Sequence, residues 1–407
     1  MTVLKSLIAL GAACLLATTA SAGPRGRDLG IPFEGVPGPL NAITDVAGVE
    51  VGQVTLIRGE GPLKVGEGPV RTGVTVVLPR GHDDPEPVYG GFFNLNGNGE
   101  MTGQSYLEDF GVVQGPIGLS DTNAVGQVYA GVQQWWRRHH GEATYPVVGE
   151  TWSGYLSDLD GFHVQPADAM AALDAAKPGV VAEGDVGGGT GMVCFGFKGG
   201  IGTASRVVAV GDKRYTVGVL VQCNTGYRKV LRIAGAPVGE ALSGKWLPCY
   251  VPGLSPTDKT PQCKDDARLG EPPPDKGSIL IVTATDAPLT HDQLTRVARR
   301  AAMGLARLGS YSGNSSGDLI VSFSTAGRAV NHPDQTAQSP ITPVASQDLD
   351  PIFQGAVEAT EEAIVNALVA AETMTGADGR RFYGLPHDEL RAILKRYGRL
   401  ENEKPAR

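Results

Sequence analysis

At Gly277–Ser278 the chain changes character within two residues. From Trp246 to Lys276 it is proline-rich and charged with no apolar period, which reads as an exposed loop. From Ile279 to Thr283 it is an uninterrupted β-prone run, the pattern of a strand buried on both faces. Pro288 to Leu308 then carries Leu289, Leu294, Val297, Ala301 and Leu305 at helical spacing. Leu319–Phe323 reads as a second strand, and Asp350–Thr373 and His387–Tyr397 as closing helices. Upstream, Gly73–Leu78, Arg206–Val210 and Tyr215–Gln222 read as strands, Asp121–His140 and Pro166–Ala176 as helices. Strands alternating with helices predict an α/β fold layered around sheets.

The 57 glycines among 407 residues are about twice the background of roughly 7%. They follow no period, so they imply tight turns and close backbone approaches. A net charge of -8 excludes the basic footprint of a general nucleic-acid binder. The N-terminus combines Lys5, an apolar run from Leu7 to Ala17 and the small-residue site Ala20-Ser21-Ala22, the form of a signal peptide over residues 1–22. A mature chain starting near Gly23, periplasmic or secreted, is expected, with no membrane span after it. In an oxidising compartment Cys249 and Cys263 are spaced to close a loop, and the pairing stays open at this level. Cys194 and Cys223 lie in apolar, strand-like runs and read as buried thiols. No C-x-x-C occurs and the histidines show no ligand spacing, so no metal or other cofactor is expected.

Three motifs invite a functional reading. Gly239 to Trp246 is one residue short of a phosphate loop, and Trp246 stands where a magnesium-binding hydroxyl is needed. Gly184-Asp185-Val186-Gly187-Gly188-Gly189-Thr190-Gly191 runs into a β-like stretch, whereas a dinucleotide fingerprint opens a helix. It reads as backbone forced close to another segment or to a substrate. Gly313-Asn314-Ser315-Ser316-Gly317 fits G-x-S-x-G, and Asp348 and His387 follow in triad order. A nucleophile elbow follows a strand and opens a helix, and this motif does the reverse. A His-dependent hydrolase using Ser315 is the minor alternative, and a periplasmic binding protein cradling its ligand on the glycines is another.

Ser278 stands at the first position of a buried strand, after an exposed loop ending in glycine. Cleavage of the Gly277–Ser278 bond makes it an N-terminal residue with its own α-amine. With an ordinary pKa of about 7.7–8.0, that amine is a base near neutral pH and needs no histidine. On the residues alone, a plain strand-starting serine is the competing reading.

Several longer stretches carry a resemblance. They are Arg27-Asp28-Leu29-Gly30, Asn41 to Val49, Arg71-Thr72-Gly73-Val74-Thr75, Glu183 to Met192, Val221-Gln222-Cys223-Asn224, Gly277-Ser278 and Ala284 to Leu289. In that order the chain resembles the self-processing serine aminopeptidases, which include β-peptidyl aminopeptidases and L-aminopeptidase/D-amidase-esterases. The resemblance implies a four-layer αββα sandwich, like N-terminal-nucleophile hydrolases but differently connected. It implies self-cleavage into an α chain, 23–277, with 246–276 as an exposed processing linker, and a β chain, 278–407. It implies Ser278 as nucleophile, Ser316 and Asp318 as the Ser-Gly-acid element that orients it, and Asn224 as the oxyanion amide. Glu150 is implied as the carboxylate that holds the substrate amine, with Trp152 lining the pocket where relatives carry tyrosine or leucine. The implied substrates are short peptides or amides, with β-peptides and β-alanyl dipeptides favoured and L-aminopeptidase or D-amidase-esterase activity as the alternative. A homo-oligomer of αβ units is the implied assembly.

Overall fold

The computed structural model describes residues 23–263, 277–327 and 341–401. The expected signal peptide, residues 1–22, lies outside the described residues, as does 264–276 of the expected linker. Two sheets stack at the centre. One has four strands in the order Glu50–Arg58, Val70–Leu78, Ile117–Asp121, Val147–Thr151. The other has six, in the order Val112–Val113, Val88–Asn94, Asp318–Ser324, Ser278–Thr285, Lys213–Asn224, Gly200–Val210.

The apolar run after Ser278 explains how the layers meet. Successive side chains of a strand point to opposite faces. Leu280 and Val282 point at the other sheet and pack with Leu119, Val147 and Leu220. Ile279 and Ile281 point outward and pack under Ala298, Ala301 and Leu305 of the helix His291–Arg307, beside Ala363 and Ala367 of the helix Asp350–Ala370. On the far side, Val128, Val132 and Trp135 of Val125–His140 and Leu173 of Pro166–Asp174 cover Val74, Val76 and Val148. The layers are therefore αββα.

Ser278–Thr285 and Asp318–Ser324 are parallel neighbours, and parallel strands need a crossover. The helix His291–Arg307 supplies it, started by a capping box in which Thr290 and Gln293 satisfy each other's backbone N–H groups. Segments on both sides of residue 277 thus share one sheet and one core. The stretch after Trp246 is less irregular than its composition suggests. Cys249–Tyr250 forms a short strand on Arg380–Phe382, and Cys249 is disulfide-bonded to Cys263. Cys194 and Cys223 correct the sequence reading. They are fully buried as expected, but they form a second disulfide rather than free thiols. The short strands Val193–Cys194 and Phe197–Lys198 fold back beside the end of Lys213–Asn224, a return that sequence spacing does not reveal.

Candidate active site

Ser278 is the first residue of its strand and pairs in register with Asn224 on the antiparallel neighbour. Its Oγ accepts the N–H of Gly317 at 3.0 Å. On the other flank, Ile279 pairs with Asp318, so the Ser316-Gly317-Asp318 element arrives at the same strand end. Ser316 Oγ donates to Asp318 Oδ1 at 2.6 Å and lies 3.2 Å from the hydroxyl of Thr225. Asn96 holds the other side of the carboxylate: its Nδ2 donates to Asp318 Oδ2 at 3.2 Å, and its Oδ1 accepts the Asp318 N–H at 2.7 Å. Ser316 and Asp318 are fully buried.

The Asn224 amide has a defined orientation. Its Oδ1 accepts the backbone N–H of Val193 at 2.7 Å, a group that can only donate. The amide nitrogen therefore faces the other way, and one of its protons goes to the Trp152 carbonyl at 2.9 Å. A side chain on Gly277 would begin 3.3 Å from that nitrogen and 1.5 Å from the Asn224 carbonyl oxygen. Backbone contact this close demands glycine before Ser278.

The hairpin carrying Val193 is itself pinned. Lys198, fully buried, donates through Nζ to the carbonyls of Gly189, Met192 and Gly199. Burial lowers its pKa to about 8. The glycine-rich stretch meets another chain segment, as a Cβ on Gly188 would sit 2.6 Å from the Leu119 carbonyl.

Glu150 comes from the other sheet. Its carboxylate accepts the Glu100 N–H at 3.1 Å and the Thr122 hydroxyl. Burial raises its pKa, with those two hydrogen bonds opposing the shift. Asp121 ends the adjacent parallel strand and receives the hydroxyls of Thr72 and Ser153. Burial, assisted by the Glu150 charge, pushes it up to about 6. Trp152 approaches the site through its carbonyl, and its indole packs edge-on against Tyr155, ring centroids 4.7 Å apart.

The structure thus gathers Ser278, Ser316, Asp318 and Asn224 at one strand end. It does not assemble the alternative triad: Ser315 is exposed, and the His387 ring is bound to the Val369 carbonyl at 2.9 Å. Thr225, Asn96 and the Val193 N–H were not found from the sequence. Thr225 follows Asn224 directly and was within reach of that reading. Asn96, in Asn94-Leu95-Asn96-Gly97-Asn98-Gly99-Glu100, had only a polar glycine-rich signature like that of any loop.

Such a site has a hydroxyl at a strand start, an amide with a spare proton beside the preceding peptide, and a carboxylate-anchored serine. It is equipped for acyl transfer. Comparisons with known proteins agree. The β-peptidyl aminopeptidase BapA of Sphingosinicella microcystinivorans is 53% identical over 399 residues, 97% of this chain and 98% of the relative. The BapA of Sphingosinicella xenopeptidilytica is 48% identical over 387 residues, 94% of this chain and 93% of the relative. The solved L-aminopeptidase D-Ala-esterase/amidase of Ochrobactrum anthropi, a variant of the Ntn hydrolase fold, matches with a TM-score of 0.82 at 42% identity. That match covers 93% of this chain and 99% of the other. The profile of peptidase family S58 spans residues 41–382, from the turn that precedes the first strand to the last, and the chain belongs to that family.

Proposed function

We propose that this S58 peptidase is an exported aminopeptidase that cleaves itself at Gly277–Ser278 and then uses the new N-terminal serine as its nucleophile. The observation that carries this reading is the placement of Ser278, opposite Asn224 and beside Ser316-Gly317-Asp318. In maturation, Ser278 Oγ attacks the Gly277 carbonyl carbon and the peptide C–N bond breaks. The acyl group passes from nitrogen to oxygen, and the departing nitrogen takes a proton to become the Ser278 α-amine. Water then hydrolyses the ester, leaving a Gly277 carboxylate and a free hydroxyl.

In turnover the α-amine takes the Oγ proton as Oγ attacks the substrate carbonyl. The spare proton of Asn224 Nδ2 stabilises the oxyanion, an interaction typically worth about 3–4 kcal/mol. Asp318, through Ser316, holds the positive charge that develops on the amine. The leaving amine is protonated, and water releases the acyl group. Glu150, ionised, pairs with the free ammonium of the substrate, which restricts cleavage to N-terminal residues. Trp152 lines that pocket.

The preferred substrates are β-aminoacyl peptides and amides. The two BapA relatives, nearly full-length and about half identical, support this over L-α-aminoacyl or D-amide and ester substrates. We also propose periplasmic or secreted residence and assembly of αβ units into a homo-oligomer. Intact mass spectrometry of wild type beside Ser278→Ala is the test. Two chains in wild type, the second beginning at Ser278, with an uncut and inactive variant, is the expected result. A single-chain wild type that still hydrolyses aminoacyl amides overturns the mechanism.

A further inference from the structure

One passage of the chain between the two sheets runs beside the site. Asn94 ends a strand of the six-stranded sheet, paired with Leu319. Met101 already bridges Gly149 in the four-stranded sheet, next to Glu150. The residues in between bond to both halves of the site. Asn96 bonds both the carboxylate and the backbone N–H of Asp318, and Asn98 Nδ2 donates to the Ser315 carbonyl at 2.7 Å. At the other end the Glu100 N–H holds Glu150 Oε1 at 3.1 Å. Gly99 lies in the middle: a methyl on it would sit 3.2 Å from Glu150 Oε1 and 3.4 Å from the Cα of Gly317.

We propose that the segment from Asn94 to Glu100 is a gauge that fixes the span between the Glu150 carboxylate and the nucleophile, and so selects substrates by backbone length. This rests on the functional reading above. Gly317, whose N–H holds Ser278 Oγ, and Glu150 are kept at their separation by a residue with no side chain. A β-aminoacyl group places one more backbone carbon, ~1.5 Å of bond, between amine and carbonyl than an α-aminoacyl group. A rigid spacer of this kind converts that difference into discrimination, and one methylene is typically worth about 10–200-fold.

The test uses full-length processed enzyme and two probes, β-alanyl and L-alanyl p-nitroanilide. Gly99 is not in the left-handed region, so alanine is conformationally allowed there. Its methyl would meet Glu150 Oε1 at 3.2 Å, so that carboxylate must give by a few tenths of an ångström, while the Gly317 Cα at 3.4 Å stays in ordinary contact. The ratio of kcat/KM, β over α, is expected to rise at least about fivefold in Gly99→Ala, because the wider span suits the longer substrate. Asn98→Ala frees the segment from Ser315 and is expected to move the ratio toward one, which decides the matter if Gly99→Ala does not fold. An unchanged ratio in both variants, or a fall in Gly99→Ala, overturns the gauge while serine-dependent turnover stands. Turnover that survives Ser278→Ala overturns the functional reading and the gauge together.

Discussion

Asn224 and Ser278 face each other across an antiparallel pair, and the Asn224 amide nitrogen lies beside Gly277, which carries the peptide carbonyl preceding Ser278. A single side chain is thereby placed to serve both an intramolecular and an incoming carbonyl. Asn224→Ala is expected to lower kcat by about 10²–10³ with little change in KM, and to slow appearance of the two chains. Asn224→Asp keeps the acceptor toward Val193 but loses the donor, so its loss should be of the same size. Steady-state kinetics on a chromogenic amide checks both.

Gly277→Ala tests the close approach before the nucleophile. The added carbon cannot coexist with the Asn224 carbonyl 1.5 Å away, so the peptide is displaced from Ser278 Oγ. Uncut precursor should persist for hours on a denaturing gel under conditions in which wild type is fully processed. Processing at the wild-type rate would show that this contact does not govern maturation.

Ser316→Ala removes the hydroxyl between Thr225 and Asp318. A loss of about 10²-fold in kcat is expected, the lower end of positioned acid–base effects. It also removes one hydrogen bond from the buried Asp318 carboxylate, so the melting temperature should fall by an amount matching about 1–3 kcal/mol. A fall in stability with unchanged kcat would remove Ser316 from the catalytic relay.

Asp121 sets a pH dependence of stability. Its folded pKa of about 6 lies above the ordinary 3.8, so the native state binds the proton more tightly than the unfolded chain. The contribution is fully present below about pH 4 and is lost as pH rises through 6, a change of up to about 3 kcal/mol. Asp121→Asn, neutral throughout, should therefore become more stable relative to wild type between pH 4 and 7. Melting curves across that range show it, and a constant difference would contradict it.

Both disulfides make countable predictions. Unreduced, denatured mature protein should bind no alkylating reagent. Removing the Cys194–Cys223 link, with 29 residues of separation, should cost about 3–4 kcal/mol in the chain-entropy estimate. Because these cysteines adjoin Val193 and Asn224, the double alanine variant should also lose kcat, whereas removing Cys249–Cys263 should affect stability alone.

The strand at Ile279–Thr283 and its following helix were legible because each is a local pattern: a short apolar run, then apolar positions at helical spacing. Observed bounds differ mainly at the ends, as where Tyr215–Gln222 extends to Lys213–Asn224. The Cys194–Cys223 pairing was not legible, since local sequence shows two apolar runs and not the hairpin that folds one onto the other. The same holds for Asn96, whose partner Asp318 is distant in sequence and meets it only through a sheet register.

By itself the sequence determined which segments could be strand or helix, that a glycine precedes the serine opening an apolar strand, and which motifs mark the family. These follow from side-chain period, backbone sterics and residue order, all local properties. Tertiary structure alone decided which acid meets which hydroxyl, which way the Asn224 amide turns, and that a seven-residue crossing from Asn94 to Glu100 spans the site. Those depend on the register and stacking of two sheets, set by burial summed over the whole core rather than by any one stretch of chain.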